Sequence, residues 1–88
     1  MEVRHNLKIW PVWFAAISSG KLTHSVRKND RDFRVGDLIM LEEFRPGTGE
    51  YTGNTIKKRI SHIAYGGALD PMGDGIQEGY CVLSLVDE

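Results

Sequence analysis

The sequence has one cysteine, three prolines and no long apolar run, and each scarcity excludes something. A single cysteine rules out an internal disulfide framework and a multi-cysteine metal site. No stretch approaches the roughly 20 apolar residues of a membrane-spanning helix. The opening segment, MEVRHNLKIWPVWF, lacks the uninterrupted apolar core of a signal peptide. A cytoplasmic protein that does not enter a membrane is therefore expected. The three histidines, His5, His24 and His62, fall on separate elements, so no metal centre is expected. No glycine-rich phosphate motif of the Walker or dinucleotide type occurs, and no cofactor is expected. A net charge of −1 argues against a generic binder of long polyanions.

What is present is ordinary globular composition: 88 residues, 41% hydrophobic and 26% charged. That is enough for one domain, residues 1–88, with one modest core. Val3, His5, Leu7 and Ile9 alternate with Arg4, Asn6 and Lys8, the signature of a half-buried strand. His5 lies on the apolar side, which suits a hydrogen-bonded core histidine. Trp10, Trp13, Phe14 and Ile17 then recur at helical spacing and are expected to form a core-facing stripe. Pro11 suits the first helical turn and Gly20 the residue that stops it.

Beyond Gly20 the period returns to two. Leu22, His24, Val26 and Lys28 share one face, with Thr23, Ser25 and Arg27 on the other. LIMLEEF is apolar on both faces until Glu42 and is expected to be an interior strand. RPGTGEYTG reads as a hairpin loop, and NTIKKRISHIAY as a strand whose pattern slips between Ile60 and Ile63, the mark of a bulge. YCVLSLV closes the chain as a buried strand, with Cys81 a small core hydrophobe. These elements predict an α+β, mainly β fold: about five to six strands in a small barrel or curved sheet, with one helix after the first strand.

Charge is distributed unevenly. Five of the eleven basic residues lie between Gly20 and Asp37: Lys21, Arg27, Lys28, Arg31 and Arg34. A second cluster is Lys57, Lys58 and Arg59, whereas acidic residues concentrate elsewhere, including Asp70 to Glu78. Two hydroxyls and a guanidinium on one strand face suit a phosphate or the polar edge of a base. The competing reading is a solvated strand with Arg27 paired to Asp30 or Asp32.

The ordered set LKIWP, SGKLTHSVRKNDRDFRVGD, TGEYTG and GYCVLSL resembles the ASCH-like domains. It is more closely similar to an uncharacterised bacterial and phage branch carrying an RKNDR motif before a VGD turn. That resemblance implies a PUA-like mixed pseudo-barrel that binds RNA or a nucleotide in a cleft between helix and barrel. Some members hydrolyse the amide of acetylated cytidine. Their signature, Gly-x-Lys-x-x-Glu-x-Arg, is matched at Gly20 and Arg27. Its lysine falls on Leu22 and its Glu or Thr on Ser25. Leucine neither activates a hydroxyl nor holds an anion, and Lys21 is one residue out of register.

The expected function is thus RNA or nucleotide binding through Lys21, Thr23, Ser25, Arg27, Lys28, Asn29, Arg31, Lys57 and Arg59. One alternative is an amidohydrolase on modified cytidine, using Ser25 with Lys21, Arg27 or a carboxylate such as Glu78. Another is a protein-interaction accessory factor, using the acidic segment or an exposed tryptophan. The segment from Gly66 to Gly79 holds five glycines in fourteen residues and reads either as a lid or as a simple connection.

Overall fold

The computed structural model describes residues 2–67 and 75–88. Its elements are β1 (Arg4–Ile9), α1 (Pro11–Ser18), β2 (His24–Lys28), β3 (Leu38–Arg45), β4 (Glu50–Tyr65) and β5 (Tyr80–Asp87). The strands form one five-stranded sheet in the order β1-β3-β4-β5-β2, curled into a half-barrel. β1 pairs with β3 in parallel, and the other neighbours are antiparallel. The mainly β, α+β expectation is met.

Alternation decides which side chains face the concave interior. Leu7 and Ile9 from β1, Ile39 and Leu41 from β3, Ile60 and Ile63 from β4, and Cys81, Leu83 and Leu85 from β5 converge there, joined by Ile17 and Phe33. β3 is interior to the sheet, as its two apolar faces foretell, with Leu38 and Ile39 both buried. β4 is longer than its pattern suggested, because pairing of Phe44 with Tyr51 and Arg45 with Glu50 carries the hairpin up to its turn. The expected slip is real: Ser61 is the extra residue between the pairs Ile60–Leu85 and His62–Ser84. That offset lets Ile60 and Ile63, three apart, both point inward, and the Ser61 hydroxyl donates to the Ser84 carbonyl at 3.3 Å.

A second irregularity falls between Glu42 and Phe44. Here the Glu43 carboxylate accepts hydrogen bonds from the Thr52 hydroxyl (2.7 Å) and the Asn54 side-chain amide (3.1 Å). These bonds hold its carboxyl below the usual carboxylate range.

The VGD turn is built around one buried carboxylate. Gly36 takes a φ of 95°, a region open to glycine. This turn brings Asp37 Oδ2 within 3.0 Å of the Arg34 backbone N–H and 2.8 Å of His5 Nε2. The His5 ring meets Phe33 edge-on at 4.8 Å between centroids. His5 is therefore the hydrogen-bonded core histidine that its place in the alternation implied.

Candidate functional site

The sheet does not close. Among the described residues β1 pairs only with β3 and β2 only with β5, so these two edges bound an open seam. The inward residues of β2 at the seam are Ser25 and Arg27, both half-buried, and neither packs as core.

Arg27 spans the gap instead. Its Nε donates to Ser25 Oγ and its Nη1 to the Lys8 carbonyl, each at 2.9 Å. Arg31 repeats the device two residues along β1, with Nη1 donating to the Asn6 carbonyl at 3.1 Å. Alternate carbonyls of an edge strand point out of the sheet, so Asn6 and Lys8 present theirs to the same side. Two guanidinium groups thus staple the half-barrel across its opening. Burial lowers the Arg27 pKa from its ordinary value, and the nearby Arg31 charge adds to that shift. Arginine remains cationic even so.

Above this seam lies a cleft of about 430 Å³, within the range of small-molecule sites. The N-cap residue Trp10 and, from helix α1, Trp13 and Ile17 supply one wall, and the segment leading into and along β2 supplies another through Leu22, Ser25 and Arg27. The helix is placed by local rules. Pro11 keeps Trp10 extended (φ −72°, ψ 154°) at the N-cap, and the Trp10 carbonyl accepts the N–H of Phe14 at 2.9 Å. At the other end Gly20 (φ 81°) turns the chain, and the Leu22 N–H returns to the Ala16 carbonyl at 3.0 Å.

The aromatic stripe overturns an expectation. Trp10 and Trp13 are each 53% exposed, while Ile17 is buried and Phe14 partly so. Helical spacing places these residues near one another but does not say what they face. The sheet fills its own concavity with aliphatic side chains, so the short helix contributes Ile17 to the core. Its indoles are left on the cleft wall.

The other expected site residues are spread more widely. Ser25 and Arg27 line the cleft, and Arg31 is stapled to β1 beside it. Thr23 precedes β2 and lines a second, more open depression with Ser61 and Ser84. Its carbonyl accepts the Leu85 N–H at 2.9 Å. Lys21 is exposed in the α1–β2 connection and Lys28 at the end of β2. Asn29 follows, its N–H bonded to the Gly79 carbonyl at 2.8 Å.

Lys57 and Arg59 stand on β4 away from the cleft. Lys57 Nζ is 3.7 Å from Glu88, and Arg59 is 2.8 Å from Glu2 and 3.5 Å from Glu88. Arg27 pairs with neither Asp30 nor Asp32; Asp32 instead pairs with Arg34 at 3.0 Å. Leu22, at the signature lysine position, is half-buried and packs against the core.

Cys81 is fully buried, and desolvation, with a smaller contribution from the Asp30 charge, pushes its thiol pKa up. That keeps it protonated at neutral pH, as a core residue and not a nucleophile. Among the described residues no group of His, Cys, Asp or Glu gathers as a metal centre, and no helix is long and apolar enough to cross a membrane. The centre of the proposed lid, 68–74, and with it Asp70 and Asp74 of the acidic segment, lies outside the described residues.

The fold and site define a class: a mainly β protein with a curled, seamed sheet and an aromatic cleft at the seam. The chain belongs to a family described as a domain of unknown function (DUF3850), whose model matches residues 4–85. That span begins with β1 and reaches into β5, so it takes in the seam and the cleft. The chain is also similar to a protein of Escherichia phage P2 described as an uncharacterized 12.9 kDa protein in the GpA 3′ region. The two are 30% identical over 59 residues, which is 67% of this chain and 52% of that relative. The aligned segment thus spans about half the length of the relative.

Proposed function

We propose that this protein is a cytoplasmic RNA- or nucleotide-binding module whose ligand occupies the cleft between α1 and the open seam. The observation that carries this reading is the pairing of two exposed indoles with one guanidinium around the same 430 Å³ cleft. Exposed indole faces accept stacked bases whatever their sequence, and a guanidinium suits phosphate or a base edge. Arg27 lines the cleft while its Nε and Nη1 are bonded to Ser25 and Lys8, and a guanidinium has further N–H donors beyond these two. The similarity of the GKLTHSVRKNDR stretch to ASCH-like domains, with their PUA-like pseudo-barrels, agrees with this reading.

Hydrolysis of a modified cytidine fits less well. Ser25 Oγ receives its hydrogen bond from Arg27, a group that donates protons in hydrogen bonds and does not accept them. Activation of the hydroxyl needs a neighbouring base, and the signature position for it is the packed Leu22.

Both tryptophans of the chain line the cleft, so intrinsic fluorescence reports its occupancy directly. Titration with short single-stranded RNA and with mononucleotides is expected to change the emission saturably. Unchanged emission to about millimolar ligand, the weak end of specific binding, together with no binding to a labelled RNA, refutes the proposal.

A further inference from the structure

We infer that the cleft recognises one phosphorylated nucleotide at a time, free or as a single residue of a chain, and that the protein does not track along an RNA strand. This inference rests on the proposed binding role of the cleft and adds the size and charge of its ligand.

Three observations carry it. The first is the cation pattern. A protein that follows a strand needs a path of cations available to successive phosphates. The dense basic cluster on β4 offers a poorer path, because each member lies beside a carboxylate that competes with and offsets its charge. Lys57 lies beside Glu88, Lys58 pairs with Asp87 at 2.5 Å, and Arg59 lies between Glu2 and Glu88. Arg34, in the other basic cluster, is paired with Asp32. Of the other members of that cluster, Arg31 is stapled to Asn6, and Lys21 and Lys28 are exposed outside the cleft lining, so Arg27 is the member that lines the cleft.

The second observation concerns the cleft walls. Ile9, Trp10, Trp13, Ile17 and Leu22 make them largely apolar and aromatic, and among the described residues no carboxylate lines them. Lys8 contributes its carbonyl to Arg27, while its ammonium sits over the Phe44 ring, 4.6 Å from the centroid. One planar apolar body with one anionic group matches these walls: a base against an indole and a single phosphate at Arg27.

The third is size. A volume of about 430 Å³ lies toward the small end of the 300–1,000 Å³ range for ligand sites.

Tryptophan emission would be titrated with the four nucleosides, their 5′-monophosphates, and oligouridylates of two, four and eight residues, each at two salt concentrations. A 5′-monophosphate is expected to bind about tenfold more tightly than its nucleoside, the effect of one charge-assisted hydrogen-bonded contact. For the eight-residue oligouridylate the log–log salt slope should be no steeper than about −0.7, one phosphate's worth on a single strand. Affinity per nucleotide should stay flat as the oligouridylate lengthens. Arg27→Gln should erase the preference for the phosphate over the nucleoside, with circular dichroism reporting whether the seam still folds. The wild-type series decides the matter without the variant.

A salt slope steeper than about −2, or affinity per nucleotide that climbs with length, overturns the single-nucleotide inference and leaves RNA binding standing. Equal affinity for nucleoside and monophosphate overturns the phosphate assignment to Arg27. Absence of binding by every probe overturns this inference and the underlying function together.

Discussion

Asp37 illustrates how one side chain can order several segments. Its carboxylate satisfies the Arg34 N–H and His5 Nε2, and so ties the VGD turn to β1 across 32 positions of sequence. Replacing it by alanine leaves both partners unpaired beside the buried Phe33 ring. Asp37→Ala is expected to cost about 2–3 kcal/mol, a fall in Tm of roughly 10–20 °C for a chain of this size; thermal melting by circular dichroism measures it. A fall of under about 3 °C would mean that the turn is held by other contacts. Part of this was legible in the sequence. Alternation put His5 on the core side, but the identity of its partner needs the turn geometry. Arg27 is a similar case, since its strand face was readable while its bond to the Lys8 carbonyl depends on how far the sheet curls.

At the scale of elements, the strands and both ends of the helix were legible, but the face the helix buries was not, for a physical reason. A strand has two faces, so alternation alone assigns the core side, and Cys81, Leu83 and Leu85 are buried as that rule demands. The Ser61 bulge was visible too, because an inward residue arrives one position late. A short amphipathic helix is different. Spacing groups Trp10, Trp13 and Ile17, but the sheet's demand for apolar volume decides how many are covered. Here only Ile17 is fully buried.

The β4–β5 junction offers a test at this scale. The Gly66 N–H bonds the Tyr80 carbonyl at 2.8 Å, and a Cβ at Gly66 would collide with the Gln77 carbonyl. Gly66→Ala is therefore expected to destabilise by about 1–3 kcal/mol through overpacking, measured by urea denaturation. Gly75→Ala, where a Cβ meets nothing within 4 Å, serves as its control. Equal stability of the two variants would contradict this account of the junction.

For the whole molecule, stability should depend on pH through carboxylates that folding makes more acidic. Glu43, bonded by Thr52 and Asn54, and Asp87, bonded by Lys58, both have lowered pKa values. A depressed folded-state value means that the stabilisation is present above the ordinary carboxylate pKa and is lost as pH falls through the folded value. Glu43→Gln should thus destabilise the protein near neutrality, and the gap to wild type should narrow below about pH 4. Melting curves from about pH 7 to 3 would show it, and a gap that widens on acidification would contradict the sign.

The open seam is also a property of the whole sheet. Five strands curl without closing, two arginines bridge the edges, and the helix leaves its indoles over the opening. Sequence reading supplied the strands and the basic stretch. It also gave a cleft between helix and barrel as an expectation, but not the part β1 plays in it, because that depends on β1 and β2, which do not pair, being brought face to face.

The most direct test of the cleft's role is Trp13→Ala, read by the fluorescence anisotropy of a labelled short RNA and by thermal melting. Trp13 is half-exposed, so Tm should move by less than roughly 5 °C. Loss of a stacking platform is worth about 1–3 kcal/mol per base, so affinity should fall roughly 5- to 150-fold. RNA binding of wild-type strength in a folded Trp13→Ala protein would contradict the account.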